Sequence, residues 1–263
     1  MRFRRVHYLT GLFMIWHGLA AADDTAIMDF MGTQGCTVDT AVQARAAQPG
    51  IDADAFEVRI AKALNDGDAE KHGAWTLLAE TICSIRMPEI ETPFPLEDPN
   101  VGEFVSAPDA YEHRGCFVDG AKLLDHMITR SGQDKDRAND AYLRFLASGI
   151  ISGEVRFYTG DPLATPPGFQ VFSGNCADVP DLAAIRQNHA LLVQQFGNVI
   201  RTVGGAAGCD GDITALLQRE TASLPGNTNA WMFYEVTIIA MAAGWFEGMS
   251  HSDRGVPRPP LCH

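Results

Sequence analysis

Six cysteines constrain this chain more than any other feature. Cys36, Cys83, Cys116, Cys176, Cys209 and Cys262 all lie downstream of a segment that reads as an export signal. An even count in an exported chain predicts disulfides. Sequence alone leaves the pairing open. The sequential set, Cys36–Cys83, Cys116–Cys176 and Cys209–Cys262, is preferred because each bridge then closes one local unit. On the chain-entropy account each would contribute roughly 3–4 kcal/mol. No C-x-x-C pair occurs, which argues against thioredoxin-type redox chemistry. The one close Cys/His pair is Cys262-His263, and nothing has zinc-finger or zinc-ribbon spacing, so no metal and no cofactor is expected.

The export reading rests on residues 1–22. Arg2, Arg4 and Arg5 form a basic start, residues 9–16 a short apolar run, and Ala20-Ala21-Ala22 a small-residue cleavage site before Asp23-Asp24. The run is too short to anchor in a bilayer. Its removal takes three arginines and no acid, moving the formal charge from −13 to −16. Such a surface repels phosphate backbones and anionic lipid heads, so nucleic acid is not an expected partner and no membrane span remains after cleavage. A cationic partner or a divalent ion would suit it. The expected location is the periplasm or the medium.

The cysteines also mark an internal similarity. Gly35-Cys36-Thr37-Val38-Asp39 recurs eighty residues later as Gly115-Cys116-Phe117-Val118-Asp119. Residues 55–61 (AFEVRIA) have a counterpart in 141–147 (AYLRFLA), at an offset of eighty-six. Both observations point to a duplicated unit. A first unit would span 23–98, ending in the proline-rich, acidic stretch 87–106, and a second unit 99–263. One compact domain over 23–263 is the other division of the same length.

Helical periodicity dominates the chain. Helices are expected over 24–30, over 40–47 with Thr37 or Asp39 as cap, over 52–64 opened by Asp52, and over 118–129 and 137–147. The longest runs over 181–203 and ends at Gly204-Gly205. A short one follows Asp210 or Asp212, and a last one covers 230–246, apolar nearly all round, as in the middle of a bundle. Residues 75–79 and 81–86 read as a small hairpin, and 155–158 with 169–172 as a strand pair around a turn-rich stretch. The predicted fold is mainly α: a helical bundle of two related helix-pair units with small β-hairpins, braced by disulfides.

Chemistry is sparsely encoded. Glu235 is the lone charge in the last helix, and burial there would suit a general acid. A structural acid near the helix N-terminus is the preferred reading. A glycosidase would need a second carboxyl, for which Glu220 and Glu247 are available. His189 falls on the apolar stripe of the long helix and reads as a hydrogen-bonded core histidine before a base. Asp125-His126 are adjacent on a helix and do not face each other. Arg59 and Arg144 match between the copies and read as structural. Cys209-Asp210-Gly211-Asp212 lacks the ligand count of a calcium loop and reads as helix capping. No nucleophile-elbow, P-loop, zincin or dinucleotide motif is present. The expectation is an exported binding protein whose partner is another protein or a component of the bacterial envelope. The alternative is a secreted hydrolase of glycan or peptide, using Glu235 or His189.

Overall fold

A computed structural model describes residues 16–47, 49–111, 115–131, 134–157 and 168–263; the side chains of 16–23, 130 and 131 are left aside. Nine α-helices and eight short strands are found among these residues. The basic start and most of the apolar run of the expected signal lie outside them.

Two β-α-α-β-β segments come first. In one, β1 (Thr37–Val38) leads to α2 (Thr40–Ala46), α3 (Ala53–Asp66), β2 (Ala69–His72) and β3 (Trp75–Leu78), with α1 (Trp16–Thr33) in front. The strand order is β1-β3-β2, all antiparallel. In the other, β4 (Cys116–Val118) leads to α5 (Gly120–Ser131), α6 (Lys135–Ser152), β5 (Val155–Arg156) and β6 (Phe169–Val171), in the order β4-β6-β5. A short helix α4 (Pro99–Gly102) lies between the two segments. Then follow a 3-10 turn at Gly174–Ala177, α7 (Leu182–Ala206), α8 (Thr214–Ala222), α9 (Met232–Ala242) and a small ribbon of β7 (Phe246–Glu247) with β8 (Val256–Pro257).

Local chemistry accounts for the helix ends. Asp39, Asp52 and Asp134 each accept a backbone N–H from the first turn of α2, α3 and α6. Gly67 and Gly153 close α3 and α6 in the left-handed conformation, at φ 79° and 80°, a geometry that costs a residue with a Cβ. Each is followed by a residue whose N–H donates to the carbonyl five positions back, Asp68 to Ala63 and Glu154 to Gly149.

Three expectations need correction. Residues 81–86 form no strand: β3 pairs instead with the polar β2, across a two-residue turn in which Gly73 takes φ 59°. The repeated Cys-x-Val phrases form strands β1 and β4, too short for a periodicity to register. Gly204-Gly205 does not end α7, which runs on to Ala206. A Cβ on Gly204 would lie 2.1 Å from the Pro260 carbonyl oxygen, so glycine serves close packing here.

All three disulfides take the sequential pairing, Cys36–Cys83, Cys116–Cys176 and Cys209–Cys262, leaving no free cysteine. Buried apolar residues fall into two clusters. The smaller, from Ile27 to Cys83, lies under α1, α2, α3 and the first sheet. The larger, from Val101 to Cys262, takes in the second sheet, α5 to α9 and the C-terminal residues. The proline-rich stretch straps onto the larger cluster, with Phe94 stacked on Phe145 at 4.9 Å. Among the described residues no helix is long and apolar enough to cross a membrane.

The long helix α7 joins the two clusters. Its first half meets the end of α6, where His189 Nε2 bonds the Ile151 carbonyl, while Arg201 donates to the Cys83 carbonyl at 2.9 Å. Gly197 makes that approach possible, because a Cβ there would sit 2.1 Å from the Ile85 carbonyl oxygen. Gly197→Ala is therefore expected to cost about 1–3 kcal/mol despite its better helix propensity, read as a lower urea midpoint.

Candidate functional site

The two residues with catalytic potential in the sequence lie in different surroundings, Glu235 in a buried ion pair and His189 at a cleft of about 320 Å³ that Glu154 and Arg186 also line. Glu235, in the first turn of α9, is fully buried and faces the fully buried Arg156 of β5. The pair is bidentate: Arg156 Nε donates to Oε1 and Nη2 to Oε2, each at 2.7 Å. The Phe157 N–H adds a bond to Oε1 at 3.1 Å, and Asn229 Nδ2 one to Oε2 at 3.2 Å. Burial pushes the Glu235 carboxyl above its ordinary range, against the pull of the Arg156 charge and these donors. Four donors occupy the carboxylate and no bulk water reaches it. Proton exchange with a substrate would have to break a buried ion pair.

A polar network locks this pair in place. Asn229 Oδ1 accepts from the Trp231 N–H at 2.9 Å, and its own N–H donates to Asn227 Oδ1. Asn188 of α7 accepts from the Thr228 and Asn229 N–H groups and donates to Thr228 Oγ1 at 2.7 Å. The loop 227–229 is thus tied to α7, α9 and β5 at once.

His189 lies half-buried on α7. Its Nε2 hydrogen-bonds the Ile151 carbonyl at 2.9 Å, and its ring packs over Gly153, where a Cβ would meet it at 3.0 Å. Burial lowers its pKa, partly offset by the Ile151 bond. The unfolded chain therefore takes up a proton near pH 6.5 that the folded chain resists. Stability is full above that pH and falls as pH drops toward 5. A thermal midpoint that declines between pH 7.5 and 5, and declines less in His189→Gln, is the expected result.

The remaining sequence candidates are not brought together. Glu247 is exposed and pairs with Arg258; Glu220 pairs with Arg219 at 3.1 Å. Neither joins Glu235. Asp125 is exposed, and the His126 ring meets Phe104 edge-on at 5.0 Å. Arg59 pairs with Asp24 at 2.6 Å, and Arg144 donates to the Glu91 carbonyl at 2.9 Å. Asp212 accepts from the Thr214 N–H at 2.8 Å as α8 begins, and hydrogen bonds from the Thr214 side chain and then from this N–H lower its pKa. Among the described residues no group of acids, histidines and cysteines is arranged to hold a metal ion.

Further concave space lies around the first segment. A groove of about 350 Å³ runs between the start of α2, α3 and the β2–β3 hairpin. Its floor is Phe56, Ile60, Ala61 and Leu64; Asp39, Glu57 and Lys71 stand at its rim. No protein family model, no curated protein and no solved structure matches the chain. Three of the floor residues, Phe56, Ile60 and Leu64, fall at helical spacing in the sequence. The groove's openness does not show there, because an identical stripe would serve a closed core.

A second cleft, of about 310 Å³, lies where Glu70, Arg201 and His263 meet the turn at Gly35 and Gly67. Burial lowers the His263 pKa and the Glu70 charge opposes that shift. Arg201 is already engaged with the Cys83 carbonyl. The groove on α3 is the more apolar of the two in its floor and the better candidate for a binding face.

Proposed function

We propose that this is an exported, disulfide-braced binding protein of the bacterial envelope, built from two related units, the first of which presents the binding face. The observation that carries the binding reading is the contrast between locked chemistry and open surface. Glu235 is spent on a buried ion pair and His189 Nε2 on the Ile151 carbonyl, while an apolar groove with an acidic rim stands open on α3. Three disulfides agree with an oxidising location.

Several correspondences support relatedness of the units. Asp39 and Asp119, eighty residues apart, both accept from the N–H three positions on. Gly67 and Gly153 close their helices at the same offset of eighty-six that relates residues 55–61 to 141–147. In each sheet the first strand pairs with the third and the third with the second. Each unit's disulfide joins the cysteine at the first strand to one five residues past the third. These agreements concern caps, register and bridges at once, so one match does not entail the next.

The test is chemical cross-linking of the tagged chain in the exported fraction, beside assays for soluble fragments released from envelope glycan and peptide. Recovery of one polypeptide in near-stoichiometric amount, without fragment release, is the expected outcome. Steady release of fragments that His189→Gln abolishes would overturn it in favour of the hydrolase.

A further inference from the structure

We propose that the groove on α3 receives an amphipathic helix with a cationic flank from a partner protein, in the position that α9 takes on the second unit. This rests on the reading of the chain as a binding protein of two related units. With the offsets above, Phe56, Ala61, Leu64 and Lys71 of the first unit correspond to Tyr142, Ala147, Ile150 and Phe157 of the second.

In the second unit that face is closed by the chain itself. α9 packs along α6, and Tyr234 of α9 meets the Phe157 ring edge-on at 4.9 Å. Tyr142 is half-buried and close enough to Tyr234 for the two hydroxyls to influence each other, and burial pushes its own pKa up. Ala147 and Ile150 of the same helix are 0% exposed. In the first unit Ala61 is exposed and Ile60 and Leu64 only half-buried, and no segment of the described chain lies over the groove they line. Small residues on a face let a helix come close, and Ala61 offers that approach at the position matching Ala147 of α6.

The two faces differ where a permanent and an exchangeable partner should differ. Leu123, Leu143 and Phe157 of the second unit are replaced in the first by Gln43, Glu57 and Lys71. A face that must also be stable in water keeps polar groups at its edge. Asp39 and Glu57 against Lys71 give the rim a net negative charge, and the whole chain carries −13. A partner helix with lysine or arginine beside its apolar stripe complements both the floor and the rim, and is steered in by the long-range field.

The probe is a fluorescein-labelled helical peptide of leucine, alanine and lysine, about four turns long, apolar on one face. It is titrated into the oxidised full chain by anisotropy at physiological salt. Saturable binding is expected, weakened about tenfold or more both by Ala61→Trp, which fills the groove, and by Glu57→Lys, which reverses its rim. Circular dichroism checks that both variants fold; if Ala61→Trp does not, the exposed Glu57 carries the test. No binding, equal binding by the variants, or equal binding of a scrambled peptide overturns the proposal. So does a concentration-dependent dimer that Glu57→Lys disrupts, which would make the occupant a second copy. The cross-linking experiment above, repeated with Ala61→Trp, separates the two levels. A partner still captured by that variant leaves a binding protein whose site is elsewhere; no partner captured even by the wild type removes the binding reading itself.

Discussion

Glu235→Gln is expected to destabilise the protein by about 3–5 kcal/mol, although it changes one oxygen for one nitrogen. The reason lies in Arg156, which is fully buried and bound at both Nε and Nη2 by the Glu235 carboxylate. Glutamine retains one acceptor, turns a donor toward the guanidinium and leaves a buried charge without its counter-charge. A domain of this size has a total stability of about 5–15 kcal/mol, so the loss is a large share of it. Urea unfolding followed by far-ultraviolet dichroism measures it. An enzyme using Glu235 as its acid would behave oppositely, keeping its fold and losing turnover. Arg156→Met with Glu235→Met should recover much of the lost stability, because removing both charges also removes the cost of burying them. If Glu235→Gln unfolds at the wild-type midpoint, the pair is not the interior clamp described here.

The second large effect belongs to the Cys116–Cys176 bridge. It spans 60 residues, the longest separation of the three, and closes the second β-α-α-β-β segment from β4 to the turn after β6. Replacing both cysteines with serine frees that loop in the unfolded chain, at an expected cost of about 4 kcal/mol. Cys116 is itself buried in the larger cluster, so serine adds a small polar penalty in the same direction. The Cys36–Cys83 double serine variant should lose a similar amount, since its separation of 47 changes the logarithmic term little. Its effect should show mainly in the first unit, whose own core is small. Hydrogen exchange resolved along the chain distinguishes the two variants: each should lose protection first in the unit whose bridge is missing.

The disulfide pairing was legible because the cysteines fall in order around local units, and the structure keeps that order. The starts of α2 and α3 were legible too, since Asp39 and Asp52 cap them, whereas α6 runs on past the expected end at 147 to Ser152, where Gly153 closes it. The role of Glu235 was half legible. Its place in the first turn of an apolar helix pointed to structure over chemistry, but Arg156 lies 79 residues away and no local pattern links them. Arg156 had been grouped only with a strand. The pairing of β3 with β2 was missed because Ala69, Glu70, Lys71 and His72 have little strand propensity; the turn at Gly73 and the register with β3 override it. Gly204-Gly205 looked like a terminator because propensity registers glycine's freedom and not the carbonyl of Pro260 pressed against it. The groove was illegible for a related reason. Phe56, Ile60 and Leu64 form a helical stripe whether or not another helix covers them, and cover is decided by elements far along the chain.

The account as a whole depends on an oxidised, exported scaffold, and intact mass spectrometry of the protein recovered from the exported fraction tests that most directly. The predicted result is a chain beginning near Asp23 whose mass falls short of the reduced value by two hydrogens for each of three bridges. Free thiols on an unprocessed chain held in the cytosol would contradict it, because the six cysteines would then need a chemical role and the exterior partner would have no means of reaching the groove.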